Sequence, residues 1–127
     1  MSRLEAAFSR IRAAGNGPGL VTYITAGDPD LDRTGGILLA LERAGADVLE
    51  VGVPFSDPLA DGPVIQRATE RALAAGTTLT GVLEMVGRLR GDLRAPIVLF
   101  SYANPILRLG AERFADLARD AGVDGVL

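Results

Sequence analysis

The sequence predicts an α/β fold in which four parallel strands form half of a closed (β/α)8 barrel, and three observations predict it. Strand-like runs alternate with helix-like runs through short Gly- and Asp-containing loops, and parallel neighbours need a helix-length connection between them. The segments Ala44-Gly45-Ala46-Asp47 and Ala121-Gly122-Val123-Asp124 echo one another, each closing a helical stretch and opening a strand, as a repeating βα unit does. The 127 residues end inside the apolar run Val123 to Leu127, at about half the roughly 250 residues of a typical TIM barrel. An open doubly wound sheet is the alternative, and a complete one is expected to finish on a covering helix. The expected organisation is therefore one partial domain, residues 1–127, holding strands one to four of a TIM barrel and an extra N-terminal helix.

Each element follows from local pattern. Ser2-Arg3-Leu4-Glu5 reads as a capping box, and Leu4, Ala7, Phe8 and Ile11 recur at helical spacing until Gly15. Leu20 to Thr25 is rich in β-branched and aromatic residues between glycine- and proline-containing turns, so it reads as the first strand. Leu31 to Ala44 reads as a helix with Leu31, Leu38, Leu41 and Ala44 on its apolar face and Gly45 beyond it. Asp47 to Val53 is the second strand, followed by a loop from Pro54 to Gly62 and a helix with Pro63 in its first turn and Gly76 after its last. The stripe Leu79, Val82, Leu83, Val86 and Leu89 marks another helix. Ile97 to Ser101 is the third strand, Ala111 to Ala121 a further helix and Val123 to Leu127 the fourth strand. Arg88, Arg90 and Arg94 read as a solvated helix face.

Composition removes whole classes of chemistry. The chain has no His and no Cys, and all 13 of its basic residues are Arg. Without Lys there is no Schiff base, and without His or Cys there is neither a usual nucleophile–base pair nor a usual zinc site. Acid–base work falls to Asp, Glu and Tyr. A net charge of -3 with no basic tract argues against nucleic acid as a partner. No apolar run is long enough to span a bilayer, and absent cysteine fits a reducing compartment, so the cytoplasm is the expected location.

Two carboxylates stand out. Period two along the second strand puts Leu49, Val51 and Val53 on one face and Val48, Glu50 and Gly52 on the other. The aliphatic face suits the helices, so Glu50 is expected to point into the barrel interior near the C-terminal end of its strand, where barrel enzymes build their sites. Loss of water there favours the protonated acid and suits a proton donor. The alternative is a glutamate neutralised by arginine. Asp61, just ahead of the helix at Pro63, sits on the same rim and reads equally well as a helix cap or a reacting group. Asp57, between Ser56 and Pro58, suits a local turn bond or a partner contact.

The run from Leu49 through Glu50, the Pro54-Phe55-Ser56-Asp57-Pro58-Leu59-Ala60-Asp61-Gly62-Pro63 loop and on to Gln66 closely resembles the signature of the tryptophan synthase alpha chain family. The likeness continues through Tyr23 to Pro29, Ser101 to Pro105 and Ala121 to Asp124. That resemblance implies retro-aldol cleavage of indole-3-glycerol phosphate to indole and glyceraldehyde 3-phosphate in tryptophan biosynthesis, with no cofactor in this chain. It implies that Glu50 handles the protons at indole C3 and at the glycerol hydroxyl, and that Asp61 accepts the indole N–H. It places Tyr23, Phe100 and Tyr102 around the indole ring, although ordinary packing explains Phe100 equally well. Pro54, Asp57, Pro58 and Asn104 are implied to face the tryptophan synthase beta chain, which holds pyridoxal phosphate, in an α2β2 complex. The family's phosphate site lies in loops after strands six to eight, outside these residues, so little turnover is expected from this chain alone. Its open edges are expected to favour self-association. Another phosphate-sugar barrel enzyme, or a non-catalytic half-barrel folding or assembly unit, are the alternatives.

Overall fold

The computed structural model describes all residues from Met1 to Leu127. Helix α1 (Arg3–Ala14) precedes an alternation of β1 (Val21–Thr25), α2 (Leu31–Arg43), β2 (Val48–Gly52), α3 (Pro63–Ala74), α4 (Leu79–Leu89), β3 (Ile97–Phe100), α5 (Ala103–Leu109), α6 (Ala111–Ala121) and β4 (Gly125–Val126). The four strands form one parallel sheet in the order β1-β2-β3-β4. No helix is long and apolar enough to cross a membrane.

The pleat separates two faces. On one, Leu49, Val51, Ile97 and Leu99 are fully buried against Leu38 of α2 and Val82 and Val86 of α4. Burying side chains of this size contributes about 1.5–3 kcal/mol each, so this face anchors the fold. The other face carries Tyr23, Glu50, Gly52, Val98 and Phe100, because Tyr23 pairs with Glu50, Glu50 with Val98 and Gly52 with Phe100 in register. The face expected for Glu50 is the one it occupies, opposite the helices.

The echoed segments prove to be one device used twice. Asp47 takes the Leu20 amide on its carboxylate at 2.8 Å while its own N–H donates to the Leu20 carbonyl at 2.8 Å. Asp124 does the same to Ile97, at 2.9 and 2.8 Å. Each aspartate therefore clasps the start of the preceding strand and sets its register. The helix ends feeding them are also alike: Gly45, at φ 109°, and Gly122, at φ 81°, close paired 5→2 and 6→1 bonds typical of a glycine C-cap.

Asp124 draws in arginines that the sequence placed elsewhere. Arg90 is not part of a solvated face: its side chain is 12% exposed, pairs with Asp124 at 3.3 Å and donates to the carbonyls of Leu93 and Ala95 at 2.6 and 2.8 Å. A short 3-10 turn, Arg90–Asp92, ends the helical stripe and turns Arg90 inward. Burial pushes its guanidinium below the ordinary arginine range, assisted by Arg3 and opposed by Asp124 and Glu42. Arg88 and Arg94 remain exposed as expected. Arg3 also reaches Asp124, at 2.7 Å, which ties α1 to the start of β4. The expected capping box of α1 forms in both directions, Glu5 N–H to Ser2 Oγ at 3.1 Å and Ser2 N–H to Glu5 at 2.7 Å.

Two elements differ from the sequence reading. Helix α5 was not expected; Pro105 falls within its first turn, where a proline costs little, since the N–H groups there have no intrahelical partner. Ile106 and Leu109 then pack onto the core. Strand β4 is Gly125–Val126 rather than Val123 to Leu127, although bonds from Asp124 N–H to the Ile97 carbonyl and from Leu127 N–H to the Leu99 carbonyl continue the pairing on both sides.

Candidate active site on the C-terminal rim

The site begins with Glu50, near the C-terminal end of β2 on the open face and half-buried. Its register neighbours are Tyr23 and Val98. Gly52, two residues on, makes room for an aromatic ring: a Cβ at Gly52 would overlap the Tyr23 hydroxyl and ring carbons. Phe100, opposite Gly52 in register, closes the other side, with its ring edge-on to Tyr23 at a centroid distance of 5.7 Å and 86°.

Asp61 belongs to the same rim and is not a helix cap. Gly62 is the N-cap of α3, with no side-chain cap bond, which frees the Asp61 carboxylate. The Tyr102 hydroxyl donates to it at 3.2 Å and accepts the Ala60 N–H at 2.9 Å. Phe55 lies against the Tyr102 ring at 5.3 Å. Gln66 braces the loop from beneath, donating to the carbonyls of Pro58 and Asp61 at 3.2 and 3.0 Å. Asp61 is thus held by an aromatic hydroxyl from β3's far end and by a backbone buttressed from α3.

The electrostatics join these residues. Burial pushes the Tyr23 phenol above its ordinary 10.0, a bond to Thr25 opposes this, and the charges of Asp61 and Glu50 and the neighbouring Tyr102 push it further up. Tyr23 therefore keeps its proton at neutral pH and feels both carboxylates. Farther round the rim, Arg71 holds Asp28 through two bonds of 2.8 and 2.9 Å and draws that carboxyl below its usual range. This pair ties the loop after β1 to α3.

Of the residues singled out by sequence, Tyr23, Glu50, Asp61, Phe100 and Tyr102 come together here. Asp57 makes the local bond expected of it, accepting from Ser56 Oγ at 2.7 Å. Asp57 and Asn104 are exposed, Pro58 is half-buried and Pro54 is buried, so Pro54 shapes the loop from within. Gly52, Phe55 and Gln66 carry structural duties that no residue-type argument assigned to them. Gly52 had one available signal, since a glycine inside a strand often marks close approach of another group. A groove of about 300 Å³ between α4 and α6, lined by Leu83, Gly87, Arg113 and Leu117, has no comparable convergence of carboxylates and aromatics.

The profile of the tryptophan synthase alpha chain family matches residues 8–127. A tryptophan synthase alpha chain from Burkholderia mallei is 59% identical over 128 aligned residues, covering all of this chain and 47% of the relative. One from Citrifermentans bemidjiense is 56% identical, again over all of this chain and 47% of the relative. The crystal structure of tryptophan synthase subunit alpha from Legionella pneumophila superposes with a TM-score of 0.95 at 45% identity, covering 99% of this chain and 48% of that one. The chain spans about half the length of the curated relatives it matches. By the family profile, the sequence identity and the superposition alike, these 127 residues belong to the tryptophan synthase alpha chain family.

Proposed function

We propose that this chain carries the reacting end of a lyase that cleaves indole-3-glycerol phosphate to indole and glyceraldehyde 3-phosphate, a cytoplasmic step of tryptophan biosynthesis. The observation that carries the reading is the convergence of Glu50 and Asp61 on one rim with Tyr23, Phe100 and Tyr102. The reaction needs a proton delivered to indole C3, a proton removed from the adjacent hydroxyl, and support for charge on the ring nitrogen. Glu50 serves as the acid and then the base. Asp61, its carboxylate oriented by Tyr102, accepts the indole N–H and offsets the positive charge that builds on the ring. The aromatic side chains supply a slot for a flat, apolar ring. No cofactor enters these steps.

Phosphate-binding barrels commonly use loops after later strands, with backbone N–H groups at a helix N-terminus. Residues 1–127 hold the carboxylates and no such loop, so turnover by them alone is expected to be slight. The exposed Asp57, Leu59 and Asn104 beside the site suit docking of a tryptophan synthase beta chain. Strands β1 and β4 each have a single neighbour, and Val21 and Val126 are about half exposed, which favours self-association of the isolated chain.

Joining residues 1–127 to the remaining half of a curated relative gives a direct assay by indole release. Glu50→Gln in that chimera is expected to lower kcat by about a hundred- to ten-thousand-fold, and Asp61→Asn by a comparable factor. Equal activity of the Glu50→Gln chimera and its parent would contradict the assignment.

A further inference from the structure

We propose that the Tyr23 hydroxyl donates a hydrogen bond to the substrate oxygen on the carbon attached to indole C3, the oxygen that becomes the aldehyde carbonyl on cleavage. This rests on the reading of the site as an indole-3-glycerol phosphate lyase.

The Tyr23 ring is fixed on three sides. It stands beside Glu50 in the register of β1 and β2, leans over Gly52 where no Cβ obstructs it, and meets the edge contact with Phe100. Such packing sets the position of the phenol oxygen far more tightly than a surface tyrosine allows. The hydroxyl nevertheless has only one protein neighbour within bonding range, Thr25 Oγ1 at 3.5 Å, the outer limit for such a bond. A neutral donor, held in the field of two carboxylates and without a good acceptor, is available to a ligand oxygen. Tyr102, the other site phenol, differs in this respect because both its bonds are committed to Ala60 and Asp61.

The cleavage creates a matching acceptor. Protonation of C3 leaves an indolenine ring; Glu50, now a carboxylate, takes the hydroxyl proton as the O–H pair becomes the second C–O bond. The C3–C pair returns to the ring and cancels its positive charge. While the proton departs, the oxygen gains negative character, and a fixed donor facing it stabilises that state more than the ground state. The phenol keeps its own proton throughout.

Binding of two small indoles tests this without turnover. Indole-3-carboxaldehyde carries a carbonyl oxygen on the carbon attached to C3, and 3-methylindole lacks it. Titrated into the 127-residue chain by NMR, the aldehyde is expected to bind about fivefold more tightly, the worth of one hydrogen bond. Tyr23→Phe, which keeps the ring and its contact with Phe100, is expected to erase that preference and leave 3-methylindole affinity unchanged. Retention of the preference in Tyr23→Phe overturns the proposal, as does an equal loss of both ligands. Failure of the wild-type chain to bind either indole would remove the functional reading, and the Tyr23 role with it.

Discussion

Glu50 and Gly52 sit two residues apart on one face of β2, and the pair shows what a site demands of single residues. Glu50 drew notice because a charged residue is rare in a strand that a parallel sheet buries on both faces, and it lies on the open face as expected. For Asp61, position allowed a cap or a reacting group, and the cap proves to be Gly62. Gly52 was not legible as a spacer, since its role depends on a ring contributed from β1. Gly52→Ala is expected to push the Tyr23 hydroxyl aside. The overpacking costs about 1–3 kcal/mol in urea unfolding, and the indole NMR shifts at Tyr23 should shrink or vanish. An alanine variant with wild-type stability and wild-type shifts would show that the ring does not need that space.

At the scale of elements, helix boundaries and caps were read well because they depend on neighbours a few residues apart. The Ser2–Glu5 box and the glycine ends at Gly45 and Gly122 are local physics. What escaped was decided between elements. Helix α5 exists because Ile106 and Leu109 reach the core, a gain invisible at Asn104-Pro105. Arg90 turns inward because Asp124, 34 residues away, and two carbonyls await it. The same aspartate also holds the Ile97 amide and Arg3. Asp124→Ala leaves Arg90 with its buried ion pair broken and the strand start unclasped. A loss of about 3 kcal/mol in unfolding free energy is expected, against about 0.5 kcal/mol or less for Arg88→Ala on the exposed face. Equal effects for the two would show that the clasp is ornamental to stability.

For the whole molecule, a parallel sheet with one face covered by helices leaves the other as the place for chemistry, and the loops after its strands supply the rim. The alternation of strand and helix made that arrangement legible from sequence, together with the side of the sheet on which Glu50 lies. The mutual support of Tyr102, Phe55, Ala60 and Gln66 around Asp61 was not legible, because it depends on Tyr102, 41 residues beyond Asp61, folding back onto the loop. We propose that these residues form one indole-binding surface within residues 1–127. Titration of indole into the isotopically labelled chain tests it most directly. Shift changes should cluster at Tyr23, Glu50, Asp61, Phe100 and Tyr102 and weaken in Asp61→Asn. Changes confined to another surface, such as the groove between α4 and α6, or none at millimolar indole, would contradict it.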